Sequence, residues 1–149
     1  MFLTRRVGGG NPYIQSYGPV YGTSFGTTSD DRFKHNEQPI TNACDTIMQL
    51  RGQVYDKTIK RYDENHQGAI DEDDTSHKEA GFIAQQVQQI PELEHAVIYN
   101  DLDDTYNVSY NDVFTFNVVA TQELITKVRL QAKLIASLQA RVDALENAE

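Results

Sequence analysis

Two stretches hold the residue types that could do chemistry. The first is DENHQGAIDEDD, residues 63–74. It partly fits a calcium-binding EF-hand loop, with Asp63, Asn65, Gln67, Gly68, Asp71 and Asp74 at loop positions. Gln67 is a poor fifth ligand. Asp74 is shorter than the glutamate that usually closes such a loop, and no helical pattern flanks it on either side. The stretch therefore reads as a solvated acidic arm, and no metal site is expected. The second stretch is TTSDDRFK, residues 27–34. On residue types alone, Ser29 followed by Asp30 and Asp31 caps a turn or short helix, and Lys34 is a surface lysine. The histidines at 35, 66, 77 and 95 lack zinc-ligand spacing. The single cysteine, Cys44, excludes an intrachain disulfide and cysteine-only zinc sites. It falls in a helical pattern and reads as a buried structural thiol. No G-x-S-x-G motif supports Ser/His/Asp catalysis, and no cofactor is implied.

The elements that must position these residues fall into three parts. Residues 1–28 are rich in Gly, Ser, Thr and Tyr. Their alternation of aromatic and small residues predicts extended backbone with turns, the end of something upstream. Residues 29–112 predict a small α+β domain. After Pro39, the positions Ile40, Ala43, Cys44, Ile47 and Leu50 follow helical spacing, and Gly52 suits the stop. GQVYDKT predicts a short strand, and residues 60–78 an exposed loop or arm. GFIAQQVQQIPE predicts a short helix ended by proline. HAVIYN and YNVSYN predict two strands joined by the turn-like DLDD. Residues 111–149 predict one long helix with Asn111 or Asp112 as N-cap, so the coiled-coil part is taken as residues 113–149. From Leu124 the apolar spacing alternates four and three. Val128, Ile135 and Val142 fall at a, and Leu124, Gln131, Leu138 and Leu145 at d. That narrow seam rises about 35–40 Å and predicts a coiled coil. β-branched residues at a with Leu at d suit a parallel dimer. Leu130, Leu134 and the polar layer at Gln131 suit a multi-stranded centre, so the pattern leaves dimer and trimer both open.

Composition narrows the function. The chain has 149 residues, a formal net charge of −9 and 39% hydrophobic residues, with a mean hydropathy of −0.56. One domain with an appended arm fits that length. The acidic balance disfavours a nucleic-acid backbone or an anionic membrane surface as partner. No run of about 18 apolar residues exists to span a membrane. MFLTRRVGGG lacks the apolar core of a signal peptide, and its GGG reads as linker.

Four segments, in order, resemble the intramolecular chaperone family known as peptidase family S74. Thr28-Ser29-Asp30-Asp31-Arg32-Phe33-Lys34 is similar to its S-D-x-R-[LYF]-K signature. ITNACDTIMQLRGQVYD (40–56) resembles its helix and following strand. EAGFIAQQVQQIPEL (79–93) resembles its G-F-I-A-Q-E-V-x-x-x-x-P-E block, with Gln86 where Glu is usual. YNVSYNDVFTFNVVATQEL (106–124) resembles the entry to its closing helix. The resemblance covers residues 29–149. Members sit at the ends of phage endosialidases, tail spikes, neck appendages and some large-virus proteins, and a related domain occurs in animal membrane-bound transcription factors. With neither a membrane segment nor a basic region, the viral branch is the expectation.

The resemblance implies a parallel homotrimer that drives folding of the upstream fibre of the same polypeptide. It then implies self-release by cleavage of the Thr28–Ser29 bond. Ser29 would be the nucleophile and Lys34 the base of a Ser-Lys dyad, making the chain a single-turnover serine endopeptidase. Attack of Ser29 Oγ on the carbonyl just before it closes a five-membered ring, so nucleophile and substrate are tethered. A lysine base must be neutral, whereas a free lysine titrates near 10.4. Burial at a subunit interface would supply the desolvation and make cleavage a report on correct assembly. Asp30 and Arg32 read as a structural ion pair. A viral structural protein made in the host cytoplasm is implied, its chaperone part released from the mature virion. The competing readings are a non-cleaving trimerisation cap and a calcium-responsive coiled-coil adaptor.

Overall fold

A computed structural model describes residues 21–148, apart from 25, 63–68 and 102–103. The chain is mixed helix and strand. Its elements are a 3-10 turn at Asp31–Phe33, α1 (Ala43–Ile47), β1 (Gln53–Thr58), β2 (Ser76–Gly81), α2 (Ala84–Val87), a 3-10 helix at Pro91–Ala96, β3 (Val97–Asn100), β4 (Thr105–Val108) and α3 (Tyr110–Glu146). β1 pairs with β2 and β3 with β4, giving a pair of two-stranded sheets among the described residues. The chain divides into two compact units. The described parts of the first are residues 21–37 and 57–77; the second holds residues 38–56 and 78–148.

In the second unit, Ala43, Val87, Ile90, Leu93, Phe116 and Ala120 form the buried core. Ile40, Cys44, Ile47, Leu50, Phe82, Val97, Val108 and Val119 pack half-buried around it. Three short elements and one long helix build this cluster because none can bury an apolar face alone. α1 has five residues and α2 four, far below the length at which an isolated helix holds in water. The first turns of α3 give the core its floor, burying Val113, Phe116 and Ala120. β3 and β4 run antiparallel with Val97 opposite Val108 and Tyr99 opposite Tyr106. The two tyrosine rings on one face lie 5.0 Å apart, a cross-strand aromatic pair that stiffens the hairpin. Asp104 turns into it at φ 53°, the left-handed region that Asp tolerates better than most residues.

Among the described residues, Gly81 is the position where close approach requires glycine. A Cβ there would collide with the hydroxyls of Tyr110 and Tyr55. The Tyr110 hydroxyl accepts from Phe82 N at 3.1 Å, and its ring stacks on Phe82 at 5.9 Å. The bare backbone at Gly81 thus lets the start of α3 seat against the segment entering α2.

Several expected boundaries shift. The helix expected directly after Pro39 begins only at Ala43, because Asn42 takes φ 55°. The closing helix starts at Tyr110, with Ser109 as N-cap and no side-chain cap bond, in place of Asn111 or Asp112. His95 and Ala96, read as strand, belong to the 3-10 helix begun by Pro91; proline suits a first helical position. Cys44 is half-buried, not fully enclosed. Strand β2 occupies the end of the expected loop. Residues 1–20 of the expected extended segment lie outside the described residues.

α3 has 37 residues and so runs about 55 Å. Beyond Glu123 every residue up to Ala148 is exposed, including Leu124, Val128, Ile135, Leu138, Val142 and Leu145. Among the described residues, no helix is long and apolar enough to cross a membrane.

Candidate active site

Asp30 organises the first unit's N-terminal turn. Its carboxylate accepts from Arg32 N at 2.9 Å, capping the 3-10 turn. The same carboxylate receives the Arg32 guanidinium through Nε at 2.9 Å and NH2 at 2.7 Å. The expected Asp30–Arg32 ion pair is therefore present. The guanidinium, helped by the Arg32 backbone N–H, holds the Asp30 carboxyl below its ordinary value. The pairing is bidentate, the geometry that planar guanidinium favours, but Arg32 is exposed and water screens most of its strength. Its role is local. It leaves Asp30, not Ser29, as the capping residue.

Freed from capping, Ser29 faces Lys34. Lys34 Nζ donates to Ser29 Oγ at 2.7 Å. Phe33 N bonds Asp30 O at 3.1 Å and Lys34 N bonds Asp31 O at 2.9 Å. This single turn of chain brings residue 34 back over residue 29. Lys34 leaves the turn in extended conformation, φ −113°, and Asn36 then turns at φ 56°. Thr28, Ser29 and Lys34 are all exposed in the single chain. So is Phe33, at 75% of its surface, an aromatic ring left in water one residue before Lys34. A serine hydroxyl within hydrogen-bond reach of an amine is the arrangement required for nucleophile and base. Among the described residues, no backbone N–H donates to the Thr28 carbonyl.

Of the acidic arm, residues 69–74 fall within the described residues. Residues 63–68 lie outside the described residues. Of the remaining loop positions, Asp71 is bound by Lys60 Nζ at 2.6 Å, and Asp71 N donates to the Tyr62 hydroxyl at 2.9 Å. Lys60 also sits 5.2 Å from the Tyr62 ring centre. Among the described residues no cluster of three or more His, Cys, Asp or Glu could hold a metal.

One residue, part of the 106–124 segment that carries the resemblance, was given no role by sequence reasoning. Glu123, on α3, spreads its carboxylate over the start of α1. Its Oε1 accepts from Ala43 N at 3.0 Å and its Oε2 from Cys44 N at 2.9 Å. Those N–H groups hold Glu123 below the usual carboxylate range. Local sequence carries no signal of a cap supplied from so far along the chain.

Residues 29–98 match the family model Peptidase_S74, described as chaperone of endosialidase. No curated protein matches the chain significantly.

Proposed function

We propose that the chain, whose residues 29–98 match the Peptidase_S74 family model described as chaperone of endosialidase, trimerises through α3, drives folding of an upstream viral fibre or tail spike, and releases itself at Thr28–Ser29. The observation that carries the proteolytic part is the 2.7 Å separation of Lys34 Nζ and Ser29 Oγ. The apolar seam of α3, exposed from Leu124 to Leu145, supports association.

The reaction balances as follows. Neutral Lys34 takes the Ser29 hydroxyl proton while Oγ attacks the carbonyl carbon of Thr28. The Oγ–C bond forms and the Thr28–Ser29 C–N bond breaks, with the lysine ammonium returning the proton to the leaving nitrogen. An ester now joins Thr28 to the Ser29 side chain. Water hydrolyses it, Lys34 again serving as base, and leaves a Thr28 carboxylate and a free α-amine on Ser29. Tethering removes the entropy cost of bringing the groups together. Desolvation must come from assembly, because a lysine in water is charged at neutral pH. A neighbouring copy that covers exposed Phe33 would also strip water from Lys34. Release gives the fibre kinetic stability: once the chaperone leaves, the folding route is lost and the unfolding barrier sets the lifetime. The protein is then a structural protein of a virion from which this domain departs.

The test is the intact mass of the purified chain beside Ser29→Ala and Lys34→Ala. A fragment running from Ser29 to Glu149, absent from both variants, supports the dyad. Full-length mass in all three contradicts it. A second reading, a permanent trimeric cap that does not cut, draws on the exposure of Ser29 and Lys34 in the single chain.

A further inference from the structure

We propose that Glu123 couples association of the α3 seam to the order of α1, so that a copy's core is completed when its coil is engaged. The proposal rests on the reading that the distal half of α3 associates.

The need for such a residue begins at α1. Asn42 precedes it at φ 55° and makes no side-chain cap bond. Asp45 and Thr46 donate their N–H groups to Asn42 O. Ala43 and Cys44 have no intrahelical acceptor, as first-turn donors never do. Glu123 supplies both acceptors, one oxygen to each N–H. The Cys44 thiol adds a bond to Ala120 O at 3.3 Å, one turn earlier on α3. A five-residue helix has no intrinsic stability, so α1 is held by α3 and its first turn by Glu123.

Position makes this contact a coupling. Glu123 is the last half-buried residue of α3, and Leu124 is the first of the seam. From Leu124 onward every described residue of α3 is exposed, and helix ends fray cooperatively inward. Fraying that reaches residue 123 withdraws both acceptors from α1. Packing of copies along the seam holds the helix through that point and keeps the carboxylate in place. Glu123 is thus a positioning residue, facing the core while its neighbour faces the partner.

The test reads residue-resolved amide exchange at Ala43 and Cys44 in the full chain, with sedimentation velocity run alongside. Four proteins are compared: wild type, Ile135→Asp to break the seam, Glu123→Gln, and the double variant. Glutamine keeps the size but turns one acceptor into a donor facing an N–H. In wild type, Ile135→Asp should speed exchange of both amides at least about tenfold, the scale of a charged hydrogen bond lost. In the Glu123→Gln background, exchange starts fast and Ile135→Asp adds nothing, although Glu123→Gln alone still associates. That non-additivity is what a purely structural cap would not produce. The proposal is overturned if breaking the seam dissociates the chains and leaves both amides protected, or if its effect persists in Glu123→Gln. A wild type that sediments as a monomer overturns the association beneath it instead. Protection at Phe116 and Ala120 confirms that each variant remains folded.

Discussion

The two halves of α3 carry similar apolar content and meet opposite fates. The proximal half, up to Glu123, buries Val113, Phe116 and Ala120 against its own domain. The distal half leaves Val128, Leu138 and Val142 in water and Ile135 65% exposed. The proximal residues share a face with Glu123, which reaches α1, whereas the distal ones repeat with a four-three alternation that no described element of this chain covers. One helix thus carries both a core face and an exposed apolar stripe. The apolar surface a chain leaves exposed in phase is as informative as the surface it buries.

The sharpest way to break the comparison is to remove an apolar side chain from each half. Leu93→Ala, beside the proximal half in a fully enclosed position, should cost about 2–5 kcal/mol of domain stability. Chemical denaturation followed by circular dichroism would read it. That is a large fraction of the about 5–15 kcal/mol a domain has. By contrast, Ile135→Asp should leave the packing around Leu93 in place, loosening only the start of α1, and abolish association, visible as a drop in sedimenting mass. A loss of core stability as large as that of Leu93→Ala would contradict the division of the helix.

Gly81→Ala probes the seat of the proximal half. The added methyl must displace two tyrosine hydroxyls, an overpacking expected to cost about 1–3 kcal/mol. The loss should shrink in Gly81→Ala combined with Tyr110→Phe. Acid gives the smallest effect. Glu123 is held below its ordinary value by the Cys44 and Ala43 N–H groups, with Lys127 assisting and Cys44 and Asp45 nearby on α1. A carboxylate lowered in the folded state adds stability above its unfolded value, about 4.3, and loses it as pH falls through the folded value. Amide exchange at Ala43 and Cys44 should therefore stay slow near pH 5 and accelerate, beyond the intrinsic pH trend, as acidity rises past that range. Glu123→Gln should remove that acid-dependent step.

Legibility in the sequence followed the range of the interactions. The long helix and its apolar stripe were legible because their spacing is local, and so was the Asp30–Arg32 pair, two residues apart. The Ser29–Lys34 pair rested on its resemblance to a signature; residue types alone would have given a cap and a surface lysine. Strand β2 was hidden because SHKEAG has no apolar alternation, and its strand character comes from pairing with β1. The late start of α1 was hidden because Asn42 adopts a left-handed conformation that only tertiary context selects. Glu123 was hidden for the same reason at longer range. Its partners lie 80 and 79 positions away, and no periodicity connects them.

The most direct measurement is native mass spectrometry of the wild type beside Ile135→Asp, both prepared fresh and incubated at neutral pH. The account predicts trimers of a chain that begins at Ser29 for the wild type, and uncut monomers for Ile135→Asp, because only assembly desolvates Lys34. Cleavage of the monomeric variant at the wild-type rate, or trimers of wild type that remain full length, would contradict it.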